Sequence, residues 1–189
     1  MTTTVNQFES RLADRLRAER EARGWSLNDL AERSGVSKAM ISKIERAEVN
    51  PTAVLLGYLS GAFGVTLSSL LARVEGPTSR ILRRAEQNLW QDPETGFRRT
   101  TLSPPGPNVL ELIHCELPPG KSIAYAAAAF TFINQQILML LGTLRFTEGA
   151  DVYELQTGDC LQLGSPADCR FENHQRSSCR YLIAIAKRA

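Results

Sequence analysis

The chain is 189 residues long, 43% hydrophobic and 22% charged, with a formal net charge of +2. This balance excludes a disordered or fibrous chain, and the length allows one domain or two small ones. The charge is too small to mark a nucleic-acid binder in bulk, so any basic surface must be local.

Residues 1–10 lack the basic start and apolar core of a secretory leader, which points to the cytoplasm. Val5, Phe8, Leu12 and Leu16 recur at spacings of three and four, predicting a helix from about Phe8 to Arg23 that stops at Gly24. Ser26 and Asp29 form a capping-box signal for a second helix with Leu27, Leu30 and Ala31 on its apolar face. Gly35 ends that helix. Ser37 caps a third, with Met40, Ile41 and Ile44 as its apolar positions. Asn50-Pro51 predicts a fourth start, with Asn as cap and Pro in the first turn. Val54, Leu55, Tyr58, Leu59, Ala62 and Phe63 follow at helical spacing. Gly64 closes this helix, and Thr66 opens a short fifth through Leu67, Leu70 and Leu71.

From about residue 78 turn signals arrive every several residues, with short runs rich in β-branched, aromatic and leucine residues between them. The predicted strands are Asn108–Leu117, Ile133–Leu141, Thr143–Thr147, Val152–Leu155, Cys160–Leu163 and Arg180–Ala186, which suits a sandwich or barrel. The 23 uncharged residues between Lys121 and Arg145 are long enough to raise a membrane span. Asn134, Gln135 and Gln136 in their middle favour buried strands instead, so no membrane partner is expected. Four cysteines, Cys115, Cys160, Cys169 and Cys179, form no C-x-x-C pair. Reduced, buried thiols are the simplest reading, with a redox pair or a metal cluster as alternatives.

Within residues 27–46, Ala31 is small where two helices meet and Gly35 suits a tight left-handed turn. Leu30, Val36, Ile41 and Ile44 fill the space between the helices. Lys38, Ala39, Ser42 and Lys43 are left on the outer face of the second helix, which can then enter a major groove. The segment closely resembles the xenobiotic-response-element family of helix-turn-helix regulators, from about Leu16 to Leu71. Leu30-Ala31, Gly35-Val36-Ser37, Ile41-Ser42-Lys43-Ile44-Glu45 and Asn50-Pro51 carry the resemblance. Ser34 departs from it, where an apolar residue is common, and is expected to loosen the packing slightly. The resemblance implies base contacts from Lys38, Ala39, Ser42 and Lys43. It implies phosphate contacts at Ser26, Asn28 and Ser37, and backbone contacts from Arg46 and Asn50. It also implies a buried ion pair between Arg20 and Glu45.

Residues from about Arg80 to Ala186 resemble a cupin barrel through Pro119-Gly120, Gly142, Gly158-Asp159, Asn173 and the terminal apolar run. Where metal cupins carry their ligands, the spacing places Ala126, Ala128, Gln135 and Cys169. Alanine cannot ligate, and an amide and one thiol cannot hold an ion alone. No cofactor and no catalysis are therefore expected. The remaining use is a pocket for an organic effector, with Tyr125, Gln135, Met139, Cys169 and Phe171 as candidate lining, or a dimer-forming shell.

The expected architecture is a two-domain, α plus all-β chain. Residues 1–73 form a five-helix DNA-binding domain (core 16–71, helix-turn-helix 27–46), 74–79 a linker, and 80–189 a cupin-like barrel. The expected function is a sequence-specific regulator of transcription, acting as a homodimer on double-stranded operator DNA and responding to a small molecule. The alternatives are a redox-responsive regulator using Cys169 with Cys160 or Cys179, a cupin enzyme carrying a DNA-binding appendage, and a DNA-binding partner of another protein.

Overall fold

The helical pattern of the first half needs a common core. Helix α1 (Thr2–Ala22) supplies Leu12, Ala13 and Leu16 to it. This computed structural model describes residues 2–71, 80–105 and 110–187. The expected linker at 74–79 lies outside the described residues, as do the side chains of Val5 and Phe8 and the start of the strand predicted from Asn108. Helix α1 begins at Thr2 rather than near Phe8, because residues 2–7 contain neither Gly nor Pro to stop it.

Helix α2 (Leu27–Ser34) opens with the capping box at Ser26 and Asp29 and closes at Gly35, whose φ of 70° is left-handed. Helix α3 (Lys38–Glu45) is capped by Ser37, whose hydroxyl accepts from the Met40 N–H at 3.3 Å. Ser34 ties the turn between them instead of loosening it. Its buried hydroxyl donates to the Leu30 carbonyl at 2.6 Å and accepts from the Val36 N–H at 3.2 Å. Helix α4 (Ala53–Phe63) starts two residues later than the sequence suggests, and its cap is Thr52 rather than Asn50. The cause is tertiary: the Ala53 N–H donates to the Asp92 carboxylate at 2.6 Å, a contact from the other half of the chain. Four helices of eight residues or more thus carry this half, and the fifth is a five-residue segment, α5 (Leu67–Leu71).

The second half is two antiparallel sheets. One contains β1 (Leu89–Gln91), β2 (Arg98–Thr101), β3 (Leu110–Leu117), β5 (Ile133–Leu141), β8 (Cys160–Gln162) and β10 (Cys179–Lys187), in the order β1-β2-β3-β10-β5-β8. The other contains β4 (Ser122–Tyr125), β6 (Thr143–Glu148), β7 (Asp151–Gln156) and β9 (Cys169–Glu172), in the order β4-β9-β6-β7. Their inner faces meet through aromatic rings: Phe171 of the second sheet stacks on Tyr181 of the first at 5.8 Å, and packs within its own sheet against Phe146 at 4.8 Å. Asn173, 1% exposed, ties together the end of β3, the start of β4 and the turn before β10. Its amide donates to the Leu117 and Ser177 carbonyls, each at 2.9 Å, while its backbone pairs with Gly120 and Lys121.

The two halves share one continuous core. Helix α4 lies across the open end of the sandwich on its glycine face. A Cβ at Gly57 would sit 2.7 Å from the Tyr125 ring, and one at Gly61 3.1 Å from Ala128. Only glycine lets the helix approach this closely. Thr66 adds a polar contact to Glu111 on β3, at 3.3 and 3.4 Å.

Candidate functional site

Helix α3 is held from behind. Ile41 and Ile44 are buried, and Glu45, 6% exposed, receives Arg20 through two hydrogen bonds, Nε to Oε1 at 2.7 Å and Nη2 to Oε2 at 2.8 Å. Arg20 also donates to the Trp25 carbonyl at 2.9 Å, and Arg17 to the Glu45 carbonyl at 2.5 Å. The Glu45 hydrogen bonds raise the Arg20 pKa above its ordinary value, against the opposing effect of burial. The arginine therefore remains a cation in its recess. The structure brings α1 and α3 together through a bidentate, charge-assisted pair, which fixes the angle at which α3 is presented.

The opposite face of α3 is open. Lys38, Ala39 and Lys43 are exposed, and Ser42 is half-buried. Ser26 and Asn28 are exposed at the start of α2, and Ser37 at the start of α3. Arg46 is already engaged. It donates to Glu48 at 2.6 and 3.0 Å and to the Ser42 hydroxyl at 2.6 Å. A phosphate reaching Arg46 must compete with that carboxylate. Asn50 is half-buried, and its amide oxygen is enclosed with no hydrogen-bond partner among the described residues.

A second site lies where α4 covers the sandwich. A cavity of about 40 Å³, room for roughly three waters, is walled by both halves of the chain. Gly57, Ser60, Thr66 and Leu67 come from the helical half. Phe97, Arg99, Tyr125, Ala129, Phe130, Ile133, Gln135, Phe171, Tyr181, Ile183 and Ile185 come from the β half. Of the expected lining residues, Tyr125, Gln135 and Phe171 reach this space. Met139 and Cys169 do not. Both are buried, Met139 further along β5, and Cys169 on β9 beside Tyr125 but outside the cavity wall. Arg99 and the helical roof carry no local sequence signal. Arg99 sits in a polar Arg-Arg-Thr-Thr strand, and Ser60 and Gly57 read as ordinary helix positions.

The cupin metal positions do not form a site. Ala126 and Ala128 fall at and within a 3-10 turn (Ala127–Phe130), Gln135 lines the cavity, and Cys169 is not among its lining residues. Burial, with the charges of Glu148 and Asp168, pushes the Cys169 pKa up to about 12. Two methyl groups, a neutral amide and a protonated thiol are not a donor set for a metal. Among the described residues no group of three His, Cys, Asp or Glu side chains could hold an ion.

The same burial raises Cys115 to about 12 and Cys179 to about 11, so neither offers a thiolate near neutral pH. Cys160 alone among the four is exposed. One thiol is therefore expected to react with a disulfide reagent in the native protein, and the other three only after unfolding. A second fast thiol in the native state would contradict the burial of Cys115, Cys169 and Cys179. Because these folded-state pKa values lie above those of the unfolded chain, their contribution is intact below the ordinary thiol range and is lost as pH rises toward 12.

Comparison with known proteins matches both halves. A family model described as Helix-turn-helix matches residues 16–70. The HTH-type transcriptional regulator SutR of Escherichia coli is 37% identical over 76 residues, 40% of this chain and 43% of that protein. The match thus spans less than half of that relative's length. DdrOP3 of Deinococcus deserti, also an HTH-type transcriptional regulator, is 33% identical over 93 residues, 48% of this chain and 72% of its own. Across both halves, the crystal structure of an HTH_3 family transcriptional regulator from Vibrio cholerae shares the fold. Its TM-score is 0.81 at 24% identity, covering 98% of this chain and all of that one. Among the described residues no helix is long and apolar enough to cross a membrane. The capped α2–turn–α3 unit, its exposed lysine face and these matches lead to one assignment: the chain belongs to the xenobiotic-response-element type of helix-turn-helix transcriptional regulators, with a two-sheet β domain behind its reading head.

Proposed function

We propose that the chain is a sequence-specific regulator that binds operator DNA as a homodimer and responds to a small-molecule effector held, without a metal, in the β domain. In this reading residues 1–73 read DNA, 74–79 link, and 80–189 sense and dimerise. Lys38 and Lys43 donate to base edges, with Ala39 and Ser42 between them. The N-termini of α2 and α3, at Ser26, Asn28 and Ser37, take phosphates. Arg46 and Asn50 reach the backbone beyond, Arg46 by exchanging Glu48 for a phosphate. Two heads related by a two-fold axis would address half-sites ~34–36 Å apart.

One observation carries the effector reading: the cavity is walled by α4 and α5 as well as by the sandwich. A molecule in it touches the reading head directly, so the docked and undocked arrangements bind it with different affinity. That difference is what coupling requires. A cupin enzyme would need a donor set that these side chains do not provide. A Cys169 redox switch would need a thiolate that burial suppresses.

The test is fluorescence anisotropy on DNA from upstream of the chain's own gene. Replacing Lys38 or Lys43 with Ala is expected to weaken binding ~10–100-fold, where each lysine makes a base contact. A lysine that instead meets a phosphate lowers the salt slope by about one. Unchanged affinity with an unchanged salt slope in the double variant would falsify the DNA-reading claim.

A further inference from the structure

The cavity under α4 is not apolar throughout. Arg99, 5% exposed, brings a guanidinium to its wall from β2, and among the described residues no other charged side chain lines it. Gln135, 6% exposed, faces the same space from β5. The Tyr125 hydroxyl is buried there with no hydrogen-bond partner among the described residues. The phenol's pKa is raised, chiefly by burial, with the Arg99 charge opposing, so it remains a donor. Asp92, whose charge also acts on Tyr125, is taken up by donors of its own: the N–H groups of Ala53, Glu94 and Thr95 and the Thr95 hydroxyl. Phe97 and Phe171 line the rest as apolar surface. A cation, an amide and an unsatisfied hydroxyl around so small a space are complementary to an anion that accepts several hydrogen bonds and carries a short hydrocarbon body.

We propose that the effector is a compact organic carboxylate, its oxygens held by Arg99, the Gln135 amide and the Tyr125 hydroxyl, its body against Phe97 and Phe171, with Ser60 of α4 closing the site. This rests on the effector reading above and adds its chemical class. The volume excludes nucleotides and sugars in the docked arrangement. A carboxylate also gains more than its neutral isostere here, because the guanidinium bonds to it are charge-assisted.

The test uses the full chain and two isosteric probes, isobutyrate and isobutyramide, at constant ionic strength. Titration calorimetry is expected to show isobutyrate binding at least ~10-fold more tightly, with Arg99→Gln abolishing that preference. If Arg99→Gln does not fold, Ser60→Leu, which fills the cavity from the helix side, must remove isobutyrate binding instead. Equal affinity for the two probes, a preference that survives these substitutions, or no binding of either probe overturns the proposal. The DNA arm separates the two readings. Isobutyrate that binds through Arg99 without changing affinity for the upstream DNA keeps the carboxylate site and removes the effector reading. A neutral compound retained from the native host that fills the cavity and changes DNA affinity keeps the effector reading and removes the carboxylate.

Discussion

Replacing Glu45 with alanine is expected to remove ~3–5 kcal/mol of unfolding free energy, measured by urea titration. The glutamate is 6% exposed and accepts both prongs of the Arg20 fork. Arg20 is itself only 12% exposed, and its further contacts are the Trp25 carbonyl at 2.9 Å and the exposed Glu21 carboxylate at 3.4 Å. Without Glu45 a guanidinium is left in a recess that it cannot escape without disturbing α1. Removing both charges together is a different experiment. Arg20→Met with Glu45→Met is expected to recover most of the loss, since a buried pair repays little more than its desolvation. If the alanine variant lost less than ~1 kcal/mol, the pair would be behaving as a solvated surface contact. DNA affinity should fall with the stability of the single variant, because the pair sets the pitch of α3.

The Asp92→Ala variant tests the joint between the halves. Asp92 is 2% exposed, and its carboxylate serves four donors, of which the Ala53 N–H begins α4. A negative charge at that helix end also complements the exposed N–H groups of the first turn. Alanine leaves the buried Ala53 N–H unpaired, at about 1–3 kcal/mol, while the part-buried donors of Glu94 and Thr95 can turn to water. Amide hydrogen exchange at the start of α4 is expected to accelerate ~10–100-fold, with a smaller change in α2 and α3. Uniform acceleration across all the helices would mean that Asp92 supports global stability rather than the joint.

The reading head was legible because its signals are local. Ser26 with Asp29, Gly35 and Ser37 each act within a turn of chain, and the structure shows each one capping or turning as its position implies. Where a distant residue competes, the sequence misleads. Asn50-Pro51 is a sound cap signal, but Asp92 supplies the acceptor that places the start of α4 after Thr52. Ser34 looked like a packing defect because its two hydrogen bonds depend on the turn geometry. In the β half the apolar strands were visible, including the short runs at Val152–Leu155 and Cys160–Leu163, and the polar ones were not. Arg98–Thr101 and Cys169–Glu172 are too polar to resemble strands, yet Arg99 and Phe171 point inward and meet the cavity. The cupin resemblance implied a lining role for Gln135 and Met139, and β5 buries both on one face. The resemblance could not say which layer of the interior each residue occupies, which is why Met139 falls outside the cavity.

The glycine face of α4 has a consequence for how such chains can change. With no side chain at Gly57 and Gly61, the helix is cut to the shape of Tyr125 and Ala128. A head bearing even alanine at position 57 would need a smaller residue at 125 before it could seat. Head and barrel are therefore not interchangeable cassettes. A chimera joining this head to another barrel is expected to keep the DNA preference of the head and to lose the proposed effector response, unless the two surfaces were transplanted as a matched pair.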